Sequence, residues 1–183
     1  LGSFDKKYLV IPKDVIVTVM ASHQRYFPVF SSHNGQLLNY FITIANYKGT
    51  ELENIKKGNE RVIKARLDDA IFFYSEDTKR TLESRIDDLK GVTFQKGLGS
   101  VYDKTNRIRQ ISAFISKMLN LSNENIDKID KTALLCKADL VTALVREFTE
   151  LQGVIGSYYA ENNGLDKLIA YGIKEHYLPL SSE

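Results

Sequence analysis

The feature that most restricts the fold of this chain is a change of hydrophobic period near residue 52. Before it, Tyr26-Phe27-Pro28-Val29-Phe30 and Tyr40-Phe41-Ile42-Thr43-Ile44-Ala45 are rich in β-formers and flank Ser31-Ser32-His33-Asn34-Gly35. Asn-Gly between two such runs signals a β-hairpin, here with a loop longer than two residues. After it, apolar residues recur at helical spacing almost to the end. The expected class is therefore α+β: a mixed N-terminal segment with a β-hairpin and helices, then an all-α part, with a boundary near residues 76–81.

The helical expectations are specific. Pro12 fits the first turn of a short helix, where its missing N–H costs nothing, with Val15, Val19 and Met20 on one side. Over Leu52 to Ser75, Ile63, Leu67, Ala70 and Tyr74 share one face, with Phe73 beside them. Lys57, Arg61, Lys64 and Asp68 share the opposite face, and Arg66 sits at the edge of the apolar side. A short helix is expected over Leu82 to Leu89, then a turn-rich connection at Gly91, Gly97 and Gly99. Helices are expected at Tyr102–Leu119, Ile126–Phe148, Leu151–Glu161 and Leu165–His176, with Ser122 as an N-cap and Asn162-Asn163-Gly164 as a break. The domain reading is 1–80 and 81–183.

Composition removes several classes. A length of 183 residues gives room for one large domain or two small ones, and 43% hydrophobic with 26% charged residues is ordinary for a globular protein. No apolar run approaches the ~20 residues of a membrane span, and the N-terminus lacks a secretory signal. Cys136 is the only cysteine, so no internal disulfide can form, which fits a reducing, cytoplasmic setting. Lys plus Arg against Asp plus Glu runs 5 to 3 over residues 1–52, 13 to 10 over 53–109 and 7 to 10 over 110–183. A free nucleic-acid-binding domain is usually more basic, so any such surface must be local. Leu1-Gly2-Ser3-Phe4 opens without methionine and Tyr177-Leu178-Pro179-Leu180 closes without a cap, which reads as a piece excised from a longer protein.

The chemistry turns on Ala133-Leu134-Leu135-Cys136-Lys137-Ala138-Asp139-Leu140. This is the frame in which a metal-dependent phosphohydrolase carries a His-Asp doublet, and here the doublet reads Cys136-Lys137. An ammonium in place of a metal-binding carboxylate argues for a fold kept and a chemistry lost. On a continuous helix Lys137 falls among Leu140, Ala133, Leu144, Phe148, Val141 and Cys136, with Asp139 roughly opposite. Either its stem packs and its head reaches solvent, or it enters a buried ion pair, with Glu147, Glu150 and Asp103 as conceivable partners. His23, His33 and His176 precede no aspartate and share no helix-face spacing, so neither a metal site nor catalytic residues are expected. Cys136 reads as a small buried hydrophobe. Gly97-Leu98-Gly99 lacks the other glycines and the lysine of a phosphate loop. Lys57, Arg61 and Lys64 are the best electrostatic candidates against an ordinary solvated face, and the aromatics beside Arg25 read as hairpin core before nucleic-acid platform.

Several runs resemble the β subunit of bacterial tetrameric glycyl-tRNA synthetase: Ile11-Pro12-Lys13-Asp14-Val15, His23-Gln24-Arg25-Tyr26-Phe27-Pro28-Val29-Phe30, Gly58-Asn59-Glu60-Arg61-Val62 and Ala65-Arg66-Leu67-Asp68-Asp69-Ala70. So do Asp103-Lys104-Thr105, Lys137-Ala138-Asp139-Leu140-Val141-Thr142, Glu150-Leu151-Gln152-Gly153 and Glu175-His176-Tyr177-Leu178-Pro179. Ser31-Ser32-His33 and Tyr47-Lys48-Gly49 differ as loop variations. The resemblance spans nearly the whole chain and implies a central piece of that subunit. It implies two α chains holding the ATP and glycine site, with Mg used there, and two β chains that bind glycine tRNA. It also implies a degenerate HD-type helical domain over 81–183, truncated at its C-terminal end, and no cofactor within this piece. The implied role is non-catalytic tRNA positioning and assembly, with Arg25, Lys57, Arg61, Lys64 and Arg66 as phosphate contacts. The competing readings are a free HD-type nucleotide phosphohydrolase and a purely structural scaffold.

Overall fold

The computed structural model describes residues 1–46, 49 and 51–179, with His23 described by its backbone alone. The loop variation at Tyr47-Lys48 and the terminal Leu180 lie outside the described residues. The chain divides into two compact units, Leu1–Ser75 and Glu76–Glu183, a few residues before the boundary expected at 80/81. The α+β class holds: a small antiparallel sheet comes first and the rest is mostly helical.

In the first unit, strand β1 (Gly2–Ser3) leads through a 3₁₀ turn to helix α1 (Lys13–Thr18), which runs on into a π-helical turn at Val19–His23. Strands β2 (Phe27–Phe30) and β3 (Leu37–Ile42) form the expected hairpin, somewhat shorter than its aromatic runs. The sheet order is β1-β3-β2, with Phe27 opposite Ile42 and a register shift between Pro28 and Phe30. Pro28, which has no N–H to give, sits on an edge strand, where a proline is tolerated. The period-2 pattern turns Phe41 inward to full burial, stacked on Tyr26 with ring centroids 4.7 Å apart. β1, which the sequence pattern did not suggest, is two residues long and carries no periodicity to read.

Helix α2 (Leu52–Asp77) supplies the other half of this core. Ile63, Leu67 and Ala70 are fully buried, while Lys57, Arg61 and Lys64 are exposed, as helical spacing requires. Four hydrogen bonds to its side chains fix α2 to the segment before it. The Glu60 carboxylate accepts from the Ser3 N–H and hydroxyl, the Tyr8 hydroxyl donates to Asp68 at 2.6 Å, and the Tyr26 hydroxyl donates to Asn59 at 2.6 Å.

The second unit begins with the last two residues of α2. The short helix expected over Leu82–Leu89 is instead two 3₁₀ turns, Glu83–Arg85 and Asp87–Gly91, which still bury Leu82 and Leu89. The glycine-rich connection pairs as a small hairpin, β4 (Thr93–Gln95) with β5 (Gly99–Ser100). Helix α3 (Val101–Met118) starts from a capping box in which Ser100 and Asp103 bond reciprocally. Helix α4 (Asn123–Leu135) follows, capped by Ser122 as expected. The continuous helix expected from Ile126 to Phe148 is broken after Leu135, into a 3₁₀ turn at Ala138–Val141 and helix α5 (Ala143–Glu147). Helices α6 (Val154–Asn162) and α7 (Lys167–Glu175) complete the unit, and α3 packs on α4, α4 on α7, and α6 on α7.

The break has a physical cause. Lys137, Asp139 and Thr142 are all buried, and an unpaired polar side chain inside a core is costly. Leaving the helix lets the Thr142 hydroxyl donate to the Asp139 carbonyl at 2.6 Å and cap α5 by accepting from the Val145 N–H. The start of α5 is reinforced by Asp77, whose carboxylate accepts from the Ala143 and Leu144 N–H groups at 3.0 and 2.9 Å and from the Tyr159 hydroxyl at 3.2 Å. Asp77 also faces the buried guanidinium of Arg85, with Nη2 3.5 Å from Oδ1. Asp77→Ala should therefore destabilise this unit by about 3 kcal/mol or more in chemical denaturation, since it leaves Arg85 buried without a counter-charge and the Ala143 and Leu144 N–H groups without their acceptor. A loss below about 0.5 kcal/mol, typical of a surface change, would contradict that role.

Candidate functional site

The C-terminal end of α4 and the residues after it bring Lys137 into a cluster with the end of α7. Lys137 is only 7% exposed, so its head does not reach bulk solvent. Its Nζ lies 2.8 Å from His176 Nε2 and 3.6 Å above the centre of the Tyr177 ring. His176 Nδ1 lies 2.6 Å from the Ile173 carbonyl, an acceptor only, so Nδ1 carries the proton and donates. Nε2 is then a free lone pair, and it accepts from the lysine ammonium. Burial pushes His176 down to about 4, with the Lys137 charge adding to the effect, which keeps the ring neutral at pH 7. Burial also brings Lys137 down to about 8, so it remains mostly protonated there.

The carboxylate partners envisaged from sequence are not used. Asp103 is engaged in its capping box with Ser100, which holds its carboxyl below the usual range, and Glu147 and Glu150 lie on the exposed surface. The choice between a solvent-reaching head and an ion pair is resolved by a third arrangement, a neutral imidazole and an aromatic face. An imidazole lone pair and a ring quadrupole both stabilise a cation without bringing a second charge into the core.

Asp139, expected to face away, is fully buried, because the helix register that placed it opposite Lys137 ends at Cys136. Its Oδ2 accepts from the Gly153 N–H at 2.5 Å, and Oδ1 has no hydrogen-bond partner among the described residues. Burial raises its carboxyl to about 6, opposed by the backbone N–H groups of Gly153 and Gly156. Both glycines are needed there. Gly153 has φ +78° and any Cβ would meet the Tyr177 ring at 3.0 Å, while a Cβ on Gly156 would meet Asp139 Oδ2 at 2.9 Å. Three runs that lie far apart in sequence thus converge: Lys137–Thr142, Glu150–Gly153 and Glu175–Pro179. Cys136 is the buried hydrophobe expected, its thiol donating to the Ala133 carbonyl at 3.4 Å and pushed up by burial to about 11. Among the described residues no group of three or more His, Cys, Asp or Glu could hold a metal ion.

The basic candidates lie in the other unit. Lys57, Arg61 and Lys64 project from the outer face of α2 at spacings of four and three residues, and none pairs with a carboxylate among the described residues. Their acidic neighbours are committed inward, Glu60 to Ser3 and Asp68 to Tyr8 and Lys7. Arg25 is exposed, with φ +55°, and the bond from Tyr26 to Asn59 holds its loop against the turn of α2 between Lys57 and Arg61. Tyr26 is core, whereas Phe27 is 56% exposed. Arg66 differs from the other four: it is half-buried and already has an interaction within the fold.

The Lys137 cluster makes a pH prediction. The amine titrates at about 8 in the fold against an ordinary 10.5, so the unfolded chain holds that proton more tightly. Stability tied to this group is complete above pH 10.5 and is lost as pH falls towards 8. Cys136, raised from 9.0 to about 11, slopes the other way over an overlapping range, so the comparison must be with a Lys137 variant. The stability gap between Lys137→Met and the parent, measured by chemical denaturation, should move by roughly 2–3 kcal/mol in favour of the variant between pH 10.5 and pH 7.5. A gap that stays constant over that range would mean the lysine is solvated as in the unfolded chain.

A sequence profile described as "Glycyl-tRNA synthetase beta subunit" matches residues 1–183. The glycine–tRNA ligase beta subunit of Clostridioides difficile (strain 630) is 51% identical over 178 residues, which are 97% of this chain and 25% of that protein. Those of Pediococcus pentosaceus (46% over 182 residues) and Synechocystis sp. (49% over 179 residues) are covered to 26% and 25% of their lengths, with 100% and 98% of this chain aligned. The chain thus spans about a quarter of the length of these relatives. With its whole length matched by the profile and close to half of its residues identical to theirs, this chain belongs to the glycyl-tRNA synthetase beta subunit family.

Proposed function

We propose that this segment is a non-catalytic, tRNA-positioning and assembly part of a glycine–tRNA ligase β subunit. In that reading it supports the ATP-dependent attachment of glycine to its tRNA by a cytoplasmic tetramer of two α and two β chains. ATP, Mg and glycine are handled by the α subunit, and this segment supplies no group to the reaction. Residues 81–183 are read as a degenerate HD-type domain. Its Cys136-Lys137 doublet stands where such enzymes carry His-Asp, and its cation is a tethered ammonium.

The observation that carries the tRNA role is the row Lys57, Arg61 and Lys64, exposed on α2 while the neighbouring Glu53, Glu60 and Asp68 bond to other groups. Cations held without counter-ions on one helix face attract a phosphate backbone, and they fix its position rather than read its sequence. Arg25, on the loop tied to the same turn of α2, extends the surface. Arg66 is the weakest of the five candidates because it is already engaged. The donor set argues against the alternative of a nucleotide phosphohydrolase: His176 gives its lone pair to Lys137, and Asp139 is bonded to Gly153. The scaffold alternative shares the same fold and differs only in whether the basic face meets RNA.

The test uses the whole tetramer carrying Lys57→Ala, Arg61→Ala and Lys64→Ala together. KM for glycine tRNA should rise about tenfold or more, and the log–log dependence of tRNA affinity on salt should flatten by about two to three. Glycine-dependent ATP–pyrophosphate exchange, which needs no tRNA, should be unchanged. An unaltered KM and salt slope would leave only the scaffold role.

A further inference from the structure

Helix α3 buries Val101, Thr105 and Ser116 against its own unit, and its other side is unusually apolar. Ile111, Phe114, Ile115 and Met118 are 59, 65, 48 and 67% exposed, and their spacing of three, four and seven residues places them in one stripe. The stripe continues through Leu119, 63% exposed, towards a cavity of about 450 Å³ between α3, α4 and α7, where Ile108, Leu121, Ile129 and Leu168 line the wall together with Asn125 and Lys128. From Gln110 to Leu121 the only charged residue is Lys117.

We propose that this face of α3 is the docking site for an amphipathic helix from another part of the same β-subunit polypeptide. Soluble chains rarely leave a contiguous apolar stripe of this kind in water, so something covers it. RNA is a poor occupant, because the stripe offers a phosphate backbone almost no positive charge. A predominantly apolar contact belongs to permanent interfaces, whereas surfaces that are free for part of their lifetime are more polar. The most permanent partner is one joined covalently. The relatives carry roughly three-quarters of their length outside the region matched here, so there is ample polypeptide to supply it. A stripe covered by its own chain is also covered before any second subunit is met. The groove beside the stripe is a place for one helix to lie, with apolar side chains at i, i+3, i+4 and i+7 facing α3. This proposal rests on family membership and not on the tRNA role.

The chain supplies its own reporter, because its only methionines are the buried Met20 and the exposed Met118. In the full-length β subunit purified without its α partner, Met118 should oxidise with peroxide about tenfold more slowly than free methionine, approaching Met20. In the same subunit, Phe114 replaced by the photo-crosslinker p-benzoylphenylalanine should join, on irradiation, to a β-subunit peptide outside the segment described here. That crosslink should form in the subunit alone and persist in the tetramer. Oxidation of Met118 at the rate of free methionine would overturn the proposal. So would crosslinks confined to the α chain, to a second β copy or to residues within this segment.

Discussion

The second unit is organised around the buried ammonium of Lys137. The Lys137 ammonium bonds to a neutral His176 and lies on the face of Tyr177, with no carboxylate in direct contact among the described residues. For this to hold, the His176 proton must sit on Nδ1, which the Ile173 carbonyl secures. Lys137 must leave the regular helix, and α4 ends at Leu135 so that it can. Asp139 is buried in the same step, and its Oδ2 is reached by the Gly153 N–H because the backbones of Gly153 and Gly156 come close where no Cβ intervenes. The helix break, the positive-φ glycine and the terminal His-Tyr pair are parts of one arrangement, which explains why three distant runs of sequence meet.

This arrangement bears on chemistry. A metal centre needs several free donor atoms converging on one point, with carboxylates among them. Here the histidine's lone pair is spent on an amine, one aspartate oxygen is spent on a backbone amide, and the thiol is pushed away from ionisation by burial. A tethered cation fixes the ends of α4 and α7 without exchange or redox chemistry. In the other unit the economy is similar: Glu60 and Asp68 turn inward to hold the N-terminal segment, and this leaves the cationic face of α2 unneutralised.

Much of this was readable from the chain. The switch from period 2 to period 3.6 gave the α+β class, and helical spacing placed Ile63, Leu67 and Ala70 inside and Lys57, Arg61 and Lys64 outside, because α2 is long and regular. The runs that resembled the β-subunit family carried the family assignment. What failed failed for local reasons. The stretch 126–148 looks like one helix because its apolar residues keep helical spacing across Lys137 and Asp139. Their need for partners on α6 and α7 is a tertiary demand that no window of spacing contains. The Thr142 cap was the one available hint of a second helix start. A buried charge suggests an opposite one, so sequence alone points from Lys137 to carboxylates, whereas in the fold the neutral His176 is the acceptor. The β4–β5 pair was hidden by strands of three and two residues.

The central claim is that Lys137 is a cation held by a neutral, Nδ1-protonated His176, and ¹⁵N-resolved NMR of the two side chains across pH tests it most directly. The account predicts an unprotonated His176 Nε2 throughout the range from pH 5 to pH 8, with the imidazole charging only near pH 4, and a Lys137 amine that titrates near pH 8. An imidazole that charges near pH 6.5, beside an amine that keeps its proton to pH 10.5, would show two solvated side chains and contradict it.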